Sequence, residues 1–219
     1  MPRRVTLFAG HYGSGKTNIA VNYALFLKKT HERVVIADLD IVNPYFRTRD
    51  SLEDLSAAGI QLISSAFASS NVDLPALPQE MYAVTDDKSA MAVVDIGGDD
   101  RSAYALGRYV PALLEEKDYD MLMVINRYRP LTTTAEDTVE VMREIEGACG
   151  LAFTGLCNNS NLGDATTAED VLASAAYAEA VSRLSGLPLR MTTVRSDLLD
   201  AVSLKVDGVF PLTLQKKYY

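Results

Sequence analysis

One eight-residue segment constrains this chain more than any other. Gly10-His11-Tyr12-Gly13-Ser14-Gly15-Lys16-Thr17 fits the spacing G-x-x-x-x-G-K-[ST]. It follows the apolar run Val5 to Ala9 and opens a stretch, Lys16 to Lys29, in which Ile19, Tyr23 and Leu27 with Ala20 and Ala24 mark one face of a helix. A glycine-rich turn between a strand and a helix lets successive backbone N–H groups turn inward around a β-phosphate, and the helix N-terminus adds its partial positive charge. In that setting Lys16 spans the β- and γ-phosphates and the Thr17 hydroxyl is a ligand for Mg2+. Residues 10 to 17 are therefore expected to bind the phosphates of a nucleotide.

The same strand-then-helix alternation runs on through the chain. Strands are expected at Val34 to Ala37, Gln61 to Ser64, Ala92 to Ile96, Met121 to Asn126, Phe153 to Cys157 and Leu189 to Val194, with Val209 to Leu214 as one more candidate. Runs such as Val34-Val35-Ile36-Ala37 are apolar at successive positions, as strands covered on both faces are. Thr133 to Glu146 and Thr167 to Leu184 read as helices, and Asn71 to Gln79, with Pro75 and Pro78, as an irregular loop. The expectation is an α/β fold, a single domain over residues 1–219 with a mostly parallel sheet of about seven strands and helices on both faces. At 219 residues, 48% hydrophobic and 23% charged, the chain has the apolar content for one core.

Charge and cysteine usage exclude several classes. With 21 basic against 29 acidic residues, the net charge of −8 repels polyanions and argues against nucleic-acid binding by the surface as a whole. Cys149 and Cys157 make no Cys-x-x-Cys pair and are too few for a disulfide scaffold, so they read as reduced thiols. No apolar run reaches the roughly 18 residues of a membrane span. A cytoplasmic protein is expected.

Ligands of open α/β sheets bind at the carboxyl ends of strands, and two strands here run into carboxylates. Val34 to Ala37 leads into Asp38-Leu39-Asp40 and then Asn43-Pro44; Ala92 to Val94 ends in Asp95, followed by Ile96-Gly97-Gly98. The Asp95 carboxylate would reach the Mg2+ shell through water, and Gly98 is placed to offer a backbone N–H to a γ-phosphate.

These three segments, in this order, resemble the MinD/ParA group of P-loop ATPases, within the class that includes nitrogenase iron protein and dethiobiotin synthetase. Asp38, Asp40 and Pro44 match the group's D-x-D-x-x-x-P switch. The resemblance implies a P-loop NTPase fold with ATP and Mg2+ as ligands. It implies that Asp38 helps hold the Mg2+ waters, that Asp40 orients or deprotonates the attacking water, and that an ATP-dependent homodimer closes on two sandwiched nucleotides. The chain departs from the group at the second loop position, where His11 stands in place of an extra lysine. No Asn-Lys-x-Asp follows a late strand, which favours ATP over GTP. The segment Gly155 to Asn159 is similar to the group's late strand ending in an asparagine that reads the adenine edge; spacing from the glycine favours Asn159 over Asn158.

The resemblance also excludes some roles within the class. Ile96 to Pro111 has no cysteine for a cluster between subunits, and Val209 to Tyr219 carries Pro211 rather than a membrane-binding amphipathic helix. Four arginines, Arg47 and Arg49 after the switch and Arg127 and Arg129 after Asn126, are expected to border the nucleotide and to hold an anionic small molecule, an acidic partner protein or the γ-phosphate. The leading expectation is an ATPase acting as a nucleotide-controlled switch or assembly factor. Its rivals are a small-molecule enzyme resembling dethiobiotin synthetase and a non-hydrolysing nucleotide-binding module.

Overall fold

A strand that is apolar at every position needs cover on both faces of its sheet, and β1 (Val5–Ala9) has it. Val5, Leu7 and Ala9 pack into one core, Phe8 packs into another, and all four are at 0% exposure. A computed structural model describes residues 2–39, 51–64, 82–98, 102 and 105–214. After β1 come α1 (Lys16–Lys28), β2 (Val34–Asp38), α2 (Leu52–Ala57), β3 (Gln61–Ser64), α3 (Ala83–Asp86), β4 (Met91–Asp95) and α4 (Val110–Glu116). They are followed by β5 (Tyr119–Ile125), α5 (Ala135–Cys149), β6 (Gly155–Asn158), α6 (Ala168–Ala173), α7 (Ala175–Ser185), β7 (Leu189–Arg195), α8 (Leu199–Ser203) and β8 (Val209–Leu212).

The strands form one eight-stranded sheet in the order β3-β2-β4-β1-β5-β6-β7-β8, with every pairing parallel. The α/β expectation holds, with one strand more than the seven expected. The eighth is β8, whose Pro211 lacks a ladder donor and which sits at the sheet edge, where that loss is tolerated. One core gathers α4, α5 and α7 through Leu113, Met142 and Val181; the other gathers α1 and α2 through Ile19, Ala20, Tyr23, Ala24, Leu27 and Leu55. Burying each of the larger aliphatic side chains stabilises the fold by about 1.5–3 kcal/mol.

Two details differ from the expectation. The expected helix Thr167 to Leu184 is broken at Ser174, whose hydroxyl donates to the Val171 carbonyl at 2.6 Å and accepts from Asn158 Nδ2 at 2.8 Å. That bond from β6 fixes the break. The short helices α2, α3, α4 and α8, of four to seven residues, show no periodicity over so few positions. Asp40, Asn43, Pro44, Arg47, Arg49, Asn71 to Gln79 and the final five residues lie outside the described residues.

Because all strands are parallel, the residues after β1, β2, β4, β5 and β6 converge on one edge of the sheet.

Candidate functional site

The phosphate loop leaves β1 at that edge and enters α1. Its first turn is closed by Ser14 N donating to the His11 carbonyl at 3.1 Å, and Ile19 N takes up the Gly15 carbonyl as the helix begins. Lys16, 7% exposed, donates from Nζ to the carbonyls of Gly10 at 3.0 Å and His11 at 3.3 Å. The ammonium is thereby held across the first half of the loop. Thr17 is buried at the start of α1. The ring of His11 places Nδ1 3.0 Å from the Tyr12 carbonyl, and Tyr12 is exposed.

Two neighbours brace the loop. Gly98, three residues past β4, lies so close that a Cβ there would stand 2.7 Å from Tyr12 N and 2.8 Å from Tyr12 Cα. Gly15 has φ +92° and a Cβ on it would stand 2.3 Å from Asn159 Nδ2, so both conformation and contact demand glycine. Asn159 is 5% exposed; its Nδ2 donates to the Ser14 carbonyl at 2.6 Å and its Oδ1 accepts from Thr193 Oγ1 on β7. One N–H and one lone pair of that amide remain. Asn158 faces the other way, onto Ser174 and Ser160, so of the two asparagines only Asn159 touches the loop.

The carboxylates Asp38 and Asp95 are residue partners across the β2–β4 pairing, 3% and 2% exposed. Register partners share a face, and the pleat places each two positions after Ile36 and Val93, which pack on the α1 side. Both carboxylates therefore end their strands on the face where α1 starts, with Thr17 in its first turn. Among the described residues no group of three or more His, Cys, Asp or Glu side chains could hold a metal ion on its own. A hydroxyl and two carboxylates, all oxygen and few in number, nevertheless suit Mg2+, which keeps several waters and takes one or two carboxylates.

Polar residues that sequence reasoning passed over tie the edge together. Asn126, fully buried at the end of β5, accepts from Tyr128 N and Asn161 N through Oδ1 and donates to the Asn161 carbonyl. Asn161 in turn donates from Nδ2 to the Asn159 carbonyl at 2.6 Å. Local sequence carries no sign of the Asn126–Asn161 pairing, since the two residues lie 35 positions apart. The two described arginines separate. Arg127 donates to the Ala173 carbonyl at 2.8 Å and lies over the Tyr128 ring, whereas Arg129 packs on Gly13 of the loop.

Solved structures with the same architecture include the cell division protein FtsY of Thermotoga maritima, with a TM-score of 0.60 at 20% identity over 89% of this chain and 62% of that one. The signal recognition particle receptor FtsY of Elizabethkingia anophelis in complex with GDP matches with a TM-score of 0.53 at 16% identity, over 89% and 58%. FtsY of Mycoplasma mycoides matches at 0.56 and 16%, over 87% and 59%. The fold is that of a P-loop NTPase. The chain spans about three fifths of the length of these solved chains. No family model matches it, and no curated protein matches it in sequence.

Both cysteines are free and buried, and burial pushes their thiols up from the ordinary value, which keeps them protonated and inert. No helix among the described residues is long and apolar enough to cross a membrane.

Proposed function

We propose that the chain is a Mg2+-dependent nucleoside triphosphatase that acts as a nucleotide-controlled switch or assembly factor, in the manner of the MinD/ParA group. The observation that carries this reading is the convergence of Gly10 to Thr17, Asp38 and Asp95 on one sheet edge, with Gly98 in contact with the loop. Lys16 neutralises the β- and γ-phosphates, and the loop N–H groups from Gly13 to Thr17 cradle them. Thr17, Asp38 and Asp95 hold Mg2+, which supplies charge neutralisation at the phosphates when bound. Asp40 orients or deprotonates the water that attacks the γ-phosphate. Asn159 holds the loop in its binding shape and offers its remaining N–H to the base.

ATP is the nucleotide we favour, because no Asn-Lys-x-Asp is present to pair with a guanine edge. A guanine nucleotide is the second reading, favoured by the GDP complex of a protein that shares the fold. Calorimetric titration with Mg-ADP, Mg-GDP and the two non-hydrolysable triphosphates separates them. Solution mass in the same nucleotides tests whether a homodimer forms on the triphosphate alone, as a switch requires. Equal mass in every nucleotide state, with turnover retained, would favour the small-molecule enzyme instead.

A further inference from the structure

The backbone of Arg129 is held in place by the turn that follows β5. Its N–H donates to the Asn126 carbonyl at 3.2 Å, its own carbonyl accepts from Thr132 N at 3.1 Å, and Pro130 after it keeps its backbone extended, at φ −108° and ψ 141°. Thr132 Oγ1 closes the same turn on the Asn126 carbonyl at 2.7 Å. From this fixed base the side chain reaches the phosphate loop, with Nε 3.4 Å and Cζ 3.5 Å from the point where a Cβ on Gly13 would lie.

The side chain is half-buried there, and no hydrogen bond or ion pair joins its guanidinium to another of the described residues. Its Nε is shielded from solvent and has no hydrogen-bond partner, and no carboxylate among the described residues pairs with it. Arg4, Arg127 and Arg195 differ, since each gives its N–H groups to carbonyls or carboxylates. A shielded guanidinium N–H without an acceptor is unfavourable, and a planar fork of such donors matches the oxygens of a phosphate. The contact with Gly13 places this fork beside a loop whose backbone N–H groups are suited to the same ligand.

We propose that Arg129 is the second cation of the phosphate site, joining Lys16 from outside the loop and contacting the polyphosphate of the nucleotide bound by its own chain. The assignment rests on the reading of residues 10 to 17 as a nucleotide site. It gives the loop a fixed positive charge that His11 does not supply.

Three variants test it by calorimetry with Mg-ADP, Mg-GDP and the non-hydrolysable triphosphates. Arg129→Met keeps the apolar stem against Gly13 and deletes the charge; it should weaken binding of the preferred nucleotide by about 10- to 100-fold. Arg129→Lys restores charge without the fork and should recover part of that loss. Arg143→Met, which removes an exposed arginine of α5, should bind like the wild type. A packing role alone predicts that Met and wild type bind equally, and that result overturns the assignment while leaving the phosphate loop intact. Absence of nucleotide binding in the wild type overturns both. Should Arg129→Met unfold, Arg129→Lys decides alone: affinity equal to wild type removes the phosphate contact, and a severalfold loss supports it.

Discussion

The side-chain amide of Asn159 donates a 2.6 Å hydrogen bond to the carbonyl of Ser14, so the end of β6 holds the phosphate loop from beneath. Because Asn159 is 5% exposed, removing the donor strands a carbonyl away from water. Asn159→Ala should cost about 1–3 kcal/mol of stability. Asn159→Asp should cost more, since it sets carboxylate oxygen against carbonyl oxygen. Urea denaturation midpoints test the order, and Thr193→Val, which removes the donor to Asn159 Oδ1, should fall short of both.

Gly98 and Tyr12 set a second constraint. A methyl at position 98 would meet Tyr12 N at 2.7 Å and Tyr12 Cα at 2.8 Å, both backbone atoms that cannot rotate aside. Gly98→Ala must therefore displace the loop or the segment after β4, at a cost of about 1–3 kcal/mol. The expected result is a lower thermal midpoint together with weaker triphosphate binding. Unchanged values for both would mean that the close approach has no bearing on the loop.

Lys16, Asp95 and Asp40 should separate by function. Lys16→Ala should abolish nucleotide binding, because the ammonium neutralises phosphate charge. Asp95→Asn should reduce the difference between affinities measured in Mg2+ and in EDTA. Asp40→Asn should leave binding nearly intact and slow turnover by about 10²- to 10⁴-fold, the usual contribution of a general base. Normal turnover in Asp40→Asn would move the reading toward an enzyme that transfers the γ-phosphate to a substrate.

The placement of the candidate site at one sheet edge is legible in the sequence because its signals are local. Residues 10 to 17 carry strand, turn and helix signals in one segment, and Asp38 and Asp95 each end an apolar run that could only be a buried strand. Strand positions were recovered to within about two residues for the same reason: unbroken apolar runs bounded by polar residues survive the tertiary context. The remainder depends on pairings between distant segments. Asn126, Asn161 and Thr193 look like ordinary turn and strand residues until the parallel sheet brings their ends together. Arg127 and Arg129 are two positions apart and indistinguishable by type, yet one is taken up by α6 and the other by the loop. Side-chain direction, which sequence does not carry at the start of a turn, separates them.

Acid stability provides a test far from the nucleotide. Arg4, 7% exposed, donates through its guanidinium to the carbonyls of Val84, Asp87 and Ala90 and pairs with Glu116, fastening β1 to α3 and α4. The hydrogen bond from Arg4, with help from Lys88, lowers the Glu116 carboxyl below its ordinary value. A carboxylate whose pKa is lower in the folded state binds its proton more readily when unfolded, so stability rises with pH across that interval. The contribution is complete above the unfolded value, near 4.3, and is lost as pH falls through the folded value. Glu116→Gln should flatten the fall in urea midpoint below about pH 4.3 and lower the midpoint at pH 7, where the pair is intact. Arg4→Met should cost about 1–3 kcal/mol at pH 7, because the Val84 and Ala90 carbonyls lose the guanidinium and the Glu116 carboxylate is left with Lys88 alone. An acid limb of the same slope in wild type and Glu116→Gln would show that other carboxylates govern the transition.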